Sequence, residues 1–219
     1  MKRKNKYPRK EMKLVSDTVK AFARNEWIYY YYTKIRCNLQ KFLDTSFEAN
    51  KIVDGLWLGG ISSASNREAL HEHNIETIIS VILGSVASFP YDFNYERSDL
   101  RDTEDEDIIT EFYRIVPIIH EDLSKGKSIL VHCIWGKSRS CSFVAAYLIK
   151  YKHFTTDEAL RFIREKRSQV DPNPNYIRQL RQYEGEMRLE REIEEKKILE
   201  EKKNFDEKIT LQMREKKFQ

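Results

Sequence analysis

The sequence predicts an α/β domain with a central, mostly parallel sheet flanked by helices, and three observations carry that expectation. From Ile52 onward, short apolar runs alternate with longer amphipathic segments, the pattern of strand–helix units. Two of the helical segments open on capping boxes, Ser65-x-x-Glu68 and Thr155-x-x-Glu158, in which a hydroxyl and a carboxylate satisfy the first free N–H groups of a helix. The apolar run Ser128-Ile129-Leu130-Val131 passes through a glycine-containing turn into the helical Ser142-Phe143-Val144-Ala145-Ala146-Tyr147-Leu148-Ile149.

Taken in order, the chain starts on a basic arm, residues 1–13. Apolar positions Met12, Val15, Val19, Phe22 and Trp27 then suggest an amphipathic helix that reaches the block Trp27-Ile28-Tyr29-Tyr30-Tyr31-Tyr32, expected to pack on the domain as amphipathic surface. Residues 1–46 hold 12 basic and 4 acidic side chains, although the whole chain of 219 residues has a formal net charge of only +4. The acidic stretch Asp99–Asp107 leads into a helix from Ile108. Beyond Tyr183 the chain is Glu- and Lys-rich with sparse Met187, Ile193, Leu199, Phe205, Ile209 and Met213. That texture predicts a long, mostly solvated helix, and its spacing does not sustain a heptad over three repeats. Three regions follow: an extension over 1–46, a domain over 47–185, and a charged helix over 186–219.

Three cysteines without framework spacing argue for a reducing compartment and against structural disulfides. The first thirty residues lack an apolar core before a small-residue cleavage site, and no run of 18 apolar residues occurs, so cytosol or nucleus is the expected location. The basic arm reads first as a solvated tail and only secondarily as a segment for nucleic acid or acidic lipid. His71-x-His73 is the one close histidine pair and reads as helix surface, so no metal is expected. Nothing in the sequence sets the oligomeric state.

The most informative segment is Val131-His132-Cys133-Ile134-Trp135-Gly136-Lys137-Ser138-Arg139-Ser140. A strand that ends in a tight turn and opens a helix directs backbone N–H groups and the positive end of the helix dipole into one concave space, where an anion is held. Cys133 lies at the floor of that space beside the Arg139 guanidinium, so its thiol is expected to ionise below the free value of about 8.5 and serve as a nucleophile. A bare Cys-x5-Arg would arise by chance about 0.2 times in such a chain. The flanking His132, Gly136, Ser138 and Ser140, the strand before and the helix after make the pattern specific.

The segment resembles the signature loop of the cysteine-dependent protein phosphatases, and within them the small dual-specificity phosphatases. The likeness extends to Lys51-Ile52-Val53-Asp54-Gly55-Leu56-Trp57-Leu58-Gly59, which resembles the family's opening strand, to Ile75-Glu76-Thr77-Ile78-Ile79-Ser80-Val81, which resembles its second, and to Pro172-Asn173-Pro174-Asn175-Tyr176-Ile177-Arg178-Gln179-Leu180, which resembles its closing helix, covering roughly 47–185. It implies hydrolysis of phosphoprotein monoesters through a phosphocysteine, without metal or organic cofactor. The loop residues Ile134, Trp135, Gly136, Lys137, Ser138 and Arg139 would hold the phosphate, Cys133 would attack, and Ser140 would hydrogen-bond the departing thiolate.

A leaving oxygen needs a proton, and an acidic loop upstream of the cysteine supplies it in this family. Family members place the acid six residues before the first apolar residue of the next helix, which with Ile108 points to Asp102, with Asp99 as the alternative. Asp105 and Asp107 read as ordinary helix-start carboxylates. His132 is expected to orient the loop rather than act as a base, and Asn173 matches the family asparagine that braces the phosphate loop. Cys141 reads as a small core side chain and Cys37 as inert.

Two residues depart from the usual pattern. Small members carry alanine where Trp135 stands, so Trp135 would line the pocket rim. Lys137 adds charge at the mouth, but the lipid-directed pattern has a second lysine directly after the cysteine, where this chain has Ile134. A Lys-Asn-x-Arg-Tyr clamp of the large tyrosine-specific class is absent, which implies a shallower pocket open to pSer, pThr and pTyr. The rival readings are a phosphatase of phosphoinositides or RNA 5′ ends, and a phosphate-binding docking protein without turnover.

Overall fold

The computed structural model describes residues 25–43 and 46–217; the basic arm and the apolar positions Met12 to Phe22 lie outside them. The described chain forms α1 (Glu26–Leu43), β1 (Asn50–Val53), β2 (Leu56–Gly59), a 3-10 turn (Ser63–Ser65), α2 (Arg67–Glu72), β3 (Ile75–Val81), β4 (Asn94–Ser98), α3 (Ile109–Ser124), β5 (Ser128–His132), α4 (Arg139–Lys152), α5 (Thr156–Lys166) and α6 (Pro174–Lys217). The five strands lie in the order β1-β2-β5-β3-β4. β2, β5, β3 and β4 are parallel to one another, and β1 alone is antiparallel. The α/β class with a mostly parallel sheet is the one the sequence predicts.

The segment expected to be one opening strand, Lys51–Gly59, is instead a hairpin. Gly55 has φ +76, a left-handed backbone that glycine adopts without steric cost, and it folds β2 back along β1. The reversal frees β2 to run beside the central β5, with Leu58 opposite Val131.

Alternation along the strands divides the core between the two faces of the sheet. On β3 and β5, Ile79, Val81, Ile129 and Val131 join the large cluster shared with the helices, whereas Ile78 and Leu130 face a smaller one, which Ile75 joins because the register shifts between Ile75 and Thr77. The large cluster is built around α4. Its residues from Arg139 to Ile149 are all buried, as befits a helix with neighbours on every side. Tyr176, Leu180, Tyr183 and Met187 form the buried stripe of α6. Gly185 does not interrupt α6, which continues with Leu189, Ile193, Leu199 and Phe205 exposed.

The capping box at Thr155 and Glu158 forms as the sequence predicts. The one at Ser65 does not. Ser65 belongs to the 3-10 turn, where its hydroxyl donates to the Ile61 carbonyl at 2.8 Å. Asn66 caps α2 instead, its Oδ1 accepting the Ala69 N–H at 2.9 Å, because the longer Asn side chain stands one residue nearer the helix.

Candidate active site

The site lies at the carboxyl ends of the parallel strands, where open α/β sheets hold their ligands. β5 ends at His132 and α4 begins at Arg139, so the loop 133–138 must turn within six residues. Gly136 makes that turn possible with φ +66, and a Cβ there would fall 2.5 Å from the Gly59 carbonyl oxygen. The loop curls around Cys133 Sγ, which accepts the Gly136 N–H and the Ser140 hydroxyl, both at 3.2 Å.

Cys133 is 2% exposed, and burial by itself works against ionisation. The Arg139 charge and the hydrogen bonds from Ser140 outweigh it, and the thiol pKa falls below its ordinary value. At Cys141, eight positions on and also buried, burial outweighs the nearby Arg164 and Arg167 charges and pushes the thiol far up. The two buried thiols are therefore shifted in opposite directions, Cys133 toward the anion and Cys141 toward the neutral form.

Arg139 is 3% exposed. Its Nη1 donates to the Leu100 carbonyl at 3.0 Å, while its buried Nε has no hydrogen-bond partner and lies 3.6 Å from Asp102 Oδ2. A buried guanidinium N–H without an acceptor is costly, and a phosphate oxygen would supply one. Burial would lower the Arg139 pKa, but the nearby Tyr29, Cys133 and Asp102 raise it overall, so the cation is secure.

Of the carboxylates between Asp99 and Asp107, Asp102 is the one that meets the phosphate loop. Its Oδ1 accepts the Ser138 hydroxyl at 2.8 Å and Asn173 Nδ2 at 2.9 Å. Asp99 is engaged elsewhere, with Gly84 N–H at 2.9 Å and Arg97. Asp107 accepts from Ile109 N–H at 3.1 Å and from the Thr110 hydroxyl at 2.9 Å, the helix-start role expected of it. Asp105 pairs with Arg101 at 3.8 Å.

The start of α6 holds the acidic loop in place. Asn175 and Gln179 both donate to the Glu106 carbonyl at 2.8 Å, and Gln179 Oε1 accepts the Ile108 and Ile109 N–H groups. Tyr176 donates its hydroxyl to the Arg101 carbonyl, and an ion pair between Arg101 and Glu106 at 2.5 Å closes the loop on itself. Asn173 connects both sides: its backbone N–H donates to Ser138 Oγ at 3.2 Å while its side chain reaches Asp102.

His132 lies beneath the loop. Its Nε2 is 2.6 Å from Ser80 Oγ and its Nδ1 3.3 Å from the Cys133 carbonyl oxygen. Ile134 is buried and its carbonyl accepts the Ile61 N–H at 3.0 Å. Trp135 is 45% exposed, a rim position, with the Arg36 guanidinium 4.9 Å from its ring centroid. The Lys137 side chain is exposed, and its carbonyl accepts from Asp171 N–H at 2.9 Å.

Sequence reasoning missed Arg167 and Tyr29. Arg167 Nε donates to the Gly136 carbonyl at 2.9 Å, its Nη2 to the Trp135 carbonyl at 3.0 Å and its Nη1 to the Glu48 carbonyl and to Asn50 Oδ1. Tyr29 in α1 accepts the Asp102 N–H on its hydroxyl at 2.9 Å. Neither carries a local signal, since each meets the site only through tertiary packing. Among the described residues no three His, Cys, Asp or Glu side chains gather as a metal site, and no helix is long and apolar enough to cross a membrane.

Residues 56–186 match the model of the dual specificity phosphatase catalytic domain. The chain belongs to the dual specificity phosphatase family. Among curated relatives, dual specificity protein phosphatase 1B of Arabidopsis thaliana is 33% identical over 147 residues, 67% of this chain and 88% of the relative. Dual specificity protein phosphatase 1 of the same plant is 38% identical over 138 residues, 63% of this chain and 70% of the relative. The crystal structure of the human tyrosine phosphatase-like serine/threonine/tyrosine-interacting protein superposes with a TM-score of 0.62 at 32% identity, covering 64% of this chain and 97% of that one. As a dual specificity phosphatase the protein is a hydrolase of phosphoproteins, and the phosphocysteine mechanism is general to its family.

Proposed function

We propose that Cys133 is the nucleophile of this phosphatase, Arg139 its phosphate clamp and Asp102 its general acid and base. The carrying observation is the convergence of the three: Cys133 Sγ held by Gly136 and Ser140, Arg139 Nε buried without an acceptor, and Asp102 bound to Ser138 of the same loop. The thiolate attacks phosphorus, an S–P bond forms as the O–P bond breaks, and the proton of Asp102 passes to the leaving alcohol or phenol. Asp102, now a carboxylate, takes a proton from water, which attacks the phosphocysteine and releases phosphate while Ser140 hydrogen-bonds the departing thiolate. The fork of Arg139 follows the equatorial oxygens through both steps.

The substrates are phosphoproteins bearing pTyr, pSer or pThr, and three cysteines without framework spacing suit a reducing cytosol or nucleus. The test is turnover on matched pTyr and pThr peptides and a soluble phosphoinositide. Cys133→Ser is expected to abolish turnover while retaining phosphopeptide binding; residual activity above about a tenth would refute the covalent route. Asp102→Asn is expected to cost about 10²–10⁴ on a pSer or pThr peptide and far less on an activated aryl phosphate, whose oxygen leaves unaided. The same signature in Asp99→Asn and not in Asp102→Asn would reassign the acid. A phosphoinositide preferred tenfold over both peptides would favour a lipid substrate.

A further inference from the structure

Helical spacing puts Tyr29, Thr33, Arg36 and Cys37 on one face of α1, and that face rests on the catalytic loops. Tyr29, Thr33 and Cys37 are all buried. At one end the Tyr29 hydroxyl accepts the Asp102 N–H in the acidic loop. At the other, Cys37 packs in one apolar cluster with Ile61, Ile82, Cys133 and Ile134, and Arg36 lies over the Trp135 ring. Between them the Tyr30 ring sits against Gly84, so closely that a Cβ on that glycine would collide with it. These four contacts fall in the loops that follow β2, β3, β4 and β5, the loops that surround the pocket. From Tyr29 to Cys37 the helix spans about 12 Å, from the acid side of the pocket to the thiol side.

Thr33 lies midway. It is 1% exposed and its Oγ1 has no hydrogen-bond partner, so the face of α1 that carries Tyr29 and Cys37 also shuts in a polar atom at an energetic cost. A phosphorylated residue enters with peptide backbone on both sides, and a helix about 10 Å across occupies that approach. Among the described contacts that seat the helix there are the Tyr29 hydrogen bond, the Arg36–Trp135 cation–π contact, the Tyr30 ring on Gly84 and a short apolar row. The opposite face of α1, with Trp27, Tyr31 and Ile35, is exposed and adds nothing to the attachment.

We propose that α1 is a lid, seated over the catalytic pocket in the resting protein and displaced before a phosphopeptide reaches Cys133. The proposal rests on the phosphoprotein reading of the site, and its test separates the two. In the full chain, the double variant Tyr29→Phe with Arg36→Ala removes the hydrogen bond and the cation–π contact while keeping the ring that fills the space. Two rates are read: alkylation of Cys133 by iodoacetamide, followed by peptide mass, and kcat/KM on a pThr peptide. Together the lost contacts correspond to about a 5- to 70-fold change in the opening equilibrium, and both rates are expected to rise on that scale. Unchanged alkylation overturns the lid, and if peptide efficiency also falls then α1 is a fixed wall that helps to bind substrate. Faster alkylation in a protein that hydrolyses no phosphopeptide in either form would support the lid and overturn the phosphoprotein reading instead.

Discussion

Asn173 Nδ2 donates to Asp102 Oδ1 at 2.9 Å. The bond joins the start of α6 to the acidic loop, and through the Asn173 N–H on Ser138 Oγ the same residue also braces the phosphate loop. Under the proposed mechanism the Asp102 carboxylate works only where the loop places it, and Asn173 is bonded to both partners at once.

Asn173→Ala is therefore expected to lower kcat on a pThr peptide up to about tenfold, less than loss of the acid itself. Hydrolysis of an activated aryl phosphate, which needs no proton, is expected to change much less. Steady-state kinetics on the two substrates check this, and equal losses on both would mean that Asn173 acts only through the phosphate loop.

The depressed Cys133 pKa has a direct signature in pH. Because the anion is favoured, the thiolate persists as pH falls below the ordinary thiol value and disappears only below the lowered one. The pH profile of Cys133 alkylation is expected to have its midpoint below that of a free thiol, and Ser140→Ala, which removes the hydroxyl bond to Sγ, is expected to move the midpoint upward. An unmoved midpoint would show that Arg139 and the backbone alone stabilise the thiolate. Cys141, whose thiol burial holds neutral, is expected to stay unmodified over the same range.

Arg167 ties two carbonyls of the phosphate loop to the chain before β1. Arg167→Ala leaves those buried acceptors unmatched, at about 1–3 kcal/mol for each that finds no water, and a melting temperature about 4–10 °C lower is expected. Turnover is expected to fall as well, since Gly136 carries the N–H that meets Sγ. Arg167→Lys keeps the charge but not the fork and is expected to recover only part of the loss. Calorimetry with initial rates decides it; a variant matching the parent in both would remove Arg167 from the loop's support.

Trp135 and Lys137 flank the pocket at exposed positions. Trp135→Ala is expected to change the ratio of pTyr to pThr peptide efficiencies by roughly 2- to 12-fold, the worth of one aromatic contact. Lys137→Ala is expected to weaken all dianionic substrates modestly and in parallel, because an exposed charge acts on the phosphate and not on the leaving group. A selective effect of Lys137→Ala on the phosphoinositide would point to a different substrate class.

By itself the sequence determined the α/β class, the phosphate loop and the candidate nucleophile and clamp, because those depend on neighbours in the chain. Six residues between a strand and a helix, with glycine where φ must be positive, leave the backbone few other shapes. The order of apolar runs was equally legible, apart from the hairpin at Gly55 and the helix cap at Asn66, where one residue's conformation changed the outcome. Asp102 could be singled out only by counting back from Ile108 in the manner of the family. What brings it to Ser138, Asn173 and Arg139, across 36, 71 and 37 positions, is the packing of α6 against the acidic loop. The contacts of Arg167 with the phosphate loop and of Tyr29 with Asp102 left no trace in spacing or periodicity. Their roles depend on which carbonyls and side chains lie within about 3 Å across the fold, and that distance is decided by tertiary structure alone.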